Sequence, residues 1–157
     1  GVGPVELCMS PAPGHPDWAS VPLPADIQPS DQGDGDLGER MARAARRVLA
    51  AGAAVLLTGT DCPGLDAARL RLAAARLADH DAVLYPAEDG GYPLLGLKAE
   101  APSLFEAMPW STPAVARLTL DRLAALGWRT WVGDRLRDID TPEDLALAGP
   151  IPGFRVE

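Results

Sequence analysis

Asp61 is the residue in this sequence best placed for chemistry. It lies in Thr60-Asp61-Cys62-Pro63-Gly64, directly after the apolar run Ala53-Ala54-Val55-Leu56-Leu57. A short, continuous run rich in Val and Leu reads as a strand buried on both faces. The C-terminal ends of such strands are where open α/β sheets take their ligands. Pro63-Gly64 turns the chain there, and Asp66 with Ala67-Ala68-Arg69-Leu70 starts a helix. A carboxylate on a rigid strand tip, beside a tight turn, can hold a hard divalent cation against a phosphate. It can equally well cap the turn or the helix, and these residues alone leave both readings open.

Two more polar clusters punctuate strand ends: Glu88-Asp89-Gly90-Gly91-Tyr92 and Asp138-Ile139-Asp140. In a parallel sheet such ends gather along one edge, so distant positions can share a pocket. Metal-assisted transfer from a nucleoside diphosphate or triphosphate needs that gathering. Carboxylates hold the ion, and the ion neutralises charge on the leaving phosphate. Gly90 and Gly91 would let backbone approach a ligand closely, although Asp-Gly is first of all an ordinary turn dipeptide. Asp138 and Asp140 have a structural alternative as partners of Arg135 and Arg137 or as caps, and for Asp138 that alternative is the better one. Cys62 beside Asp61 suggests a nucleophile, but neither His15 nor His80 has a catalytic context, and a small buried residue next to a turn accounts for it better. Trp110 before Ser111-Thr112 can stack on a ring or serve core packing as a hydrophobic staple. Arg40, Arg43, Arg46 and Arg47 read as a solvated helix face.

The elements that must position these residues alternate. Val5 to Ser10 is an expected strand, and the stretch from Pro11 to Pro29, with six prolines, an irregular surface connection. Gln32 to Asp36 continues the loop. Asp36 and Glu39 have capping-box spacing. Leu37, Met41, Ala44, Ala45, Val48 and Leu49 then share one face of a helix ending at Gly52. A helix is expected over about 67–78 and a strand over 82–86. Tyr92 to Leu97 follows too closely for a helical crossover and is expected to run antiparallel or join a side ribbon. Ser111-Thr112-Pro113 predicts a helix start with a hydroxyl cap and proline in the first turn, running to Gly127. Trp128 to Val132 reads as a strand, 135–139 as an extended piece, and Thr141-Pro142-Glu143-Asp144 as the start of a final short helix. Such alternation predicts a single α/β domain over 1–157, with a three-layer, mostly parallel sheet.

Composition bounds the function. A chain of 157 residues with 47% hydrophobic and 23% charged residues suits one soluble globular domain. No apolar stretch approaches the ~20 residues of a membrane span, and no secretory leader is visible. A formal net charge of −8 argues against nucleic acid as partner. Lys98 is the sole lysine among 14 basic residues, so a lysine-bearing phosphate loop is absent. Two cysteines make no disulfide framework and no zinc pair. A reduced cytoplasmic setting is expected. The chain opens on Gly1 without an initiator Met, and is expected to be a fragment or a processed product.

Five strings stand in a specific order: Gln32-Gly33-Asp34-Gly35-Asp36-Leu37-Gly38-Glu39-Arg40-Met41; Gly59-Thr60-Asp61-Cys62-Pro63-Gly64-Leu65; Pro86-Ala87-Glu88-Asp89-Gly90-Gly91-Tyr92; Pro109-Trp110-Ser111-Thr112; and Asp138-Ile139-Asp140-Thr141-Pro142-Glu143-Asp144-Leu145. In order and spacing they resemble the bacterial glycosyltransferase-like family first labelled domain of unknown function 2064, also called radical-SAM/selenodomain-associated transferase 1. The resemblance runs from about Val5 to Leu147. It implies a GT-A, nucleotide-diphospho-sugar transferase-like fold, related to molybdenum-cofactor and phospholactate nucleotidyltransferases. By that likeness Asp61 takes the place of the metal-binding acid, and Asp140 or Asp138 that of a second acid, with Mg²⁺ or Mn²⁺ as the ion. Asp61 and Asp89 are the implied catalytic residues. Gly33, Gly35, Gly38 and Arg40 face the nucleotide, while Gly90, Gly91, Tyr92, Trp110 and Ser111 line the donor or acceptor pocket. The family's usual first strand, phosphate loop and helix have no counterpart before Val5. An open groove or exposed sheet edge is therefore expected near 5–10, filled by another chain through self-association or by a rearranged strand.

The leading expectation is a metal-dependent transferase with a nucleotide-activated small-molecule donor, a sugar nucleotide foremost. Nucleotidyl transfer, guanylyltransferase-like, is the alternative within the class. A non-catalytic binding module or inactive fragment is the alternative outside it, motivated by the missing phosphate loop.

Overall fold

In the computed structural model, which describes residues 2–139 together with 141 and 144, the apolar runs become two sheets. Strands β1 (Val5–Met9) and β2 (Ile27–Asp31) pair in parallel, from Val5 opposite Ile27 to Met9 opposite Asp31. The main sheet holds β3 (Val55–Thr58), β4 (Ala82–Tyr85), β5 (Leu94–Leu97) and β6 (Thr130–Val132), in the order β3-β5-β4-β6. Only β5 runs against the others, pairing antiparallel with both β3 and β4. A connection of eight residues from Tyr85 to Leu94 cannot carry the crossover that a parallel neighbour would need.

Alternation along the strands sorts side chains onto two faces. Ala82, Leu84, Leu95 and Leu97 meet helix α1 (Leu37–Ala50) through Ala45 and helix α3 (Val115–Ala125) through Leu123, with Phe105 from the connection before α3 in the same cluster. Val83, Tyr85 and Leu94 meet helix α2 (Ala67–Arg76) through Ala73, with Leu77 just beyond its end. Every residue of β4 and β5 is buried. The result is three layers, helices on both sides of a sheet whose β3, β4 and β6 point one way.

Strand β1 pairs with β2 and not with β3, so the outer edge of β3 and the outer edge of β1 carry no strand among the described residues. Helix α1 joins the two sheets. It packs on β3, and its Arg47 reaches Glu6 on β1 at 2.6 Å and Ser30 on β2 at 3.4 Å.

Two expectations need correction. The proline-rich stretch is not loop throughout, because Pro29 lies inside β2. A strand paired on one side only tolerates a residue without an N–H, and the proline count concealed it. Helix α3 starts later than Ser111-Thr112-Pro113 suggests: its N-cap is Ala114 and has no side-chain cap. The Thr112 hydroxyl instead donates to Pro109 O at 2.8 Å.

Candidate functional site

The Asp61 loop leaves β3 at its C-terminal end. Its carboxylate is exposed and accepts no hydrogen bond among the described residues. The cap of α2 is Asp66, which accepts the Arg69 N–H at 2.8 Å. The helix-capping alternative for Asp61 is thus filled by a neighbour five positions on. Cys62 turns inward, 7% exposed, its thiol 3.4 Å from Arg137 O. Burial and the facing Asp138 carboxylate push the thiol up to about 11, so it is a packing residue and not a thiolate nucleophile.

Three strand-end segments are stitched together beside it. The backbone N–H of Ile139 donates to Asp61 O at 2.9 Å. Leu136 N–H donates to Pro86 O at 2.8 Å, Glu88 N–H returns to Leu136 O at 2.9 Å, and Ala87 and Leu136 form a parallel bridge. Arg137 closes the seam with an ion pair to Glu88 at 2.7 Å. Glu88, Asp89, Arg137, Asp138 and Asp144 line an open, mostly acidic pocket on this seam.

Asp89 accepts the Gly91 N–H at 2.8 Å, the expected Asp-Gly turn, and its carboxylate is exposed. Gly90 has φ +93°, and a Cβ there would collide with the Pro113 backbone. Its carbonyl accepts the Ala116 N–H at 2.8 Å and so supplies the cap that α3 lacks. Gly90 is therefore explained by close packing against a helix start. Tyr92 packs against the core beneath the rim, and burial lifts its phenol to about 12 against the opposing influence of Thr119 and Arg122.

The glycine-rich loop before α1 is held from within. Asp31 accepts the Gly33 N–H at 2.8 Å, and Asp36 and Glu39 form the capping box. Arg40 donates to Gly35 O at 2.9 Å, while Arg43 donates to Gln32 O and, at 2.8 Å, to Asp34 O. Gly33 and Gly35 both have positive φ, which L side chains resist. All four arginines expected on a solvated face are thus engaged, Arg40 and Arg43 on this loop, Arg47 on Glu6, and the exposed Arg46 with Glu100 at 3.6 Å.

Gly38 joins this loop to the segment carrying Trp110. It is buried, and a Cβ there would lie 2.6 Å from Phe105 O and 2.8 Å from Trp110 Nε1. Trp110 is half-buried against the core. Ser111, exposed, has φ +61°. Gly38 thus meets Trp110, Gly90 meets Pro113, Glu88 meets Leu136, and Ile139 meets Asp61. Of the expected site residues, Asp89 lines the acidic pocket, Gly90 abuts Pro113, Gly38 abuts Trp110 and Asp61 bonds Ile139, while Gly33 and Gly35 belong to the loop held by Arg40. Asp140 lies outside the described residues.

Among the described residues no group of three or more His, Cys, Asp or Glu side chains could cage a metal. The donor set fits a different arrangement. A hard cation such as Mg²⁺ takes one or two carboxylates and completes its shell with substrate phosphate and water, and Asp61 offers one exposed carboxylate with no competing hydrogen bond.

The family model described as "Uncharacterized protein conserved in bacteria (DUF2064)" matches residues 1–112. Among solved structures the chain is similar to a crystal structure from Desulfovibrio desulfuricans G20 named "putative nucleotide-diphospho-sugar transferase", with a TM-score of 0.83 and 27% identity. The match covers 91% of this chain and 64% of that one, so the chain spans less than two-thirds of its solved relative. The α/β fold is shared with that protein. No curated protein matches the sequence. Among the described residues, no helix is long and apolar enough to cross a membrane.

Proposed function

This chain belongs to the DUF2064 family, and from that premise we propose that it forms the donor-binding part of a metal-dependent transferase acting on a nucleotide-diphospho-sugar, in a cytoplasmic setting. The observation that carries the reading is Asp61: an exposed carboxylate at the C-terminal end of β3, relieved of capping by Asp66 and stitched to two other acidic strand ends. The solved relative's name points to the same substrate class.

In this reading Asp61 holds Mg²⁺ or Mn²⁺ together with the donor diphosphate, and Asp140 is assigned as the second acid. The bound ion would neutralise charge on the departing nucleotide. The 33–38 loop and Trp110 border the nucleotide, with the loop already fixed by Arg40 and Arg43, so little ordering is left for binding to cost. Asp89, its turn fixed by the Gly91 N–H, faces the acceptor hydroxyl and takes its proton. Direct displacement then needs no covalent intermediate.

The test is calorimetry with Mn²⁺ and a panel of nucleoside diphosphates and their sugars, on the wild type and on Asp61→Asn. Affinity should fall by about tenfold or more in the variant, or ~1.4 kcal/mol, while the melting temperature without metal stays put. Unaltered affinity removes Asp61 from the site, and no binding by the wild type removes the reading.

A further inference from the structure

The two loops assigned to the nucleotide meet at one place, where Trp110 lies over Gly38, and the segment carrying Trp110 is anchored from a distance. Arg122 stands near the end of α3, outside all five sequence strings. Its guanidinium donates to Ser103 O at 2.9 Å, Leu104 O at 3.2 Å, Glu106 O at 2.7 Å and Ala107 O at 3.4 Å. It forms no ion pair among the described residues, so the fork serves main-chain carbonyls only. A short 3₁₀ turn over Pro102–Leu104 leaves just such carbonyls without partners.

Beyond the clamp the backbone is constrained. Ala107 has φ 47° and Ser111 has φ 61°, two non-glycine residues in the left-handed region on either side of Trp110. Such conformations persist only where the surroundings over-determine them. Arg122 grips the first at its carbonyl, and the Thr112 hydroxyl grips Pro109 O before the second. Within the same segment Phe105 O lies against Gly38, where a Cβ would be 2.6 Å away.

We propose that Arg122 is a positioning residue: by holding Ser103–Ala107 it sets Trp110 against Gly38 and keeps the two nucleotide-facing loops in register. The inference rests on the donor-binding reading of those loops. It assigns Arg122 no contact with substrate. Lysine, a single point donor, cannot span four carbonyls and replaces it only in part.

The experiment is a double-mutant cycle on the full chain. The probe is the tightest binder among UDP, GDP, ADP and CDP in Mn²⁺, measured below the melting temperature of each variant. Arg122→Gln should weaken binding at least fivefold, Trp110→Ala at least as much, and the double variant no further than Trp110→Ala alone. Arg122→Lys should fall between wild type and Arg122→Gln. Wild-type affinity in Arg122→Gln with a lowered melting temperature makes Arg122 a stability residue and overturns the proposal. So do additive losses in the double variant, or an unaffected Trp110→Ala. If Arg122→Gln does not fold, Arg122→Lys enters the same cycle under the same criteria. If the wild type binds none of the four nucleotides, the donor reading itself fails and this inference goes with it.

Discussion

At the scale of single residues, the site turns on which of two neighbouring aspartates does which job. Asp66 occupies the cap of α2 and Asp61 does not. Asp66→Ala should therefore cost about 1 kcal/mol of stability, whereas Asp61→Asn should leave stability alone and weaken metal-dependent nucleotide binding. Measuring melting temperature and affinity on both variants checks the assignment, and a reversed pattern would return Asp61 to a cap. Cys62 offers an independent check on the same loop. With its thiol buried and pushed up to about 11, the thiolate that reacts with alkylating agents is scarce at pH 8. Iodoacetamide should leave Cys62 unmodified in the folded protein and modify it in guanidinium, as peptide mass spectrometry would show. Rapid labelling of the folded chain would mean that the loop opens readily.

Among elements, α1 does the most joining. Its first turns fix the glycine-rich loop through Arg40 and Arg43, and its last turn ties down β1 through Arg47. Partial burial disfavours a charged Glu6, yet hydrogen bonds from Ser30 and Arg47 and the charge of Arg47 outweigh that and hold its carboxyl below the ordinary value of 4.5. A carboxylate depressed on folding contributes stability that is fully present above its unfolded pKa and is lost as pH falls through the folded value. The melting temperature should thus be insensitive to this pair at pH 6–7 and should decline below about pH 4.5. Glu6→Gln should show a shallower acid decline; identical acid limbs for the two proteins would show that the pair contributes nothing.

For the molecule as a whole, stability is divided unevenly between the sheets. Strands β4 and β5 are buried along their full length, whereas Met9 is the only buried residue of β1 and none of β2 is. Opening free energy follows buried apolar contact, so amides of β4 and β5 should exchange slowest and those of β1 and β2 much faster. Arg47→Ala should speed exchange in 5–9 and 27–31 further and leave β4 and β5 unchanged. Uniform acceleration across both sheets would show that the two pairings unfold as one unit.

The order of elements, the three layers and the antiparallel β5 were legible in the chain because apolar period and connection length are local properties. The acidic strand ends were legible too, since a carboxylate just past an apolar run marks the sheet edge wherever that run lies. Strand β2 was not, because Pro29 closes a stretch of six prolines and reads as a breaker until an unpaired strand side excuses its missing N–H. Nor could spacing say that Asp66 would take the cap and leave Asp61 free, that Gly90 serves a helix start, or that Arg122 would reach back to four carbonyls from 15 to 19 positions away. Sequence fixes which groups are available along each element. Only packing decides which donor reaches which acceptor, because hydrogen bonds form over a few ångströms between residues that the chain itself keeps far apart.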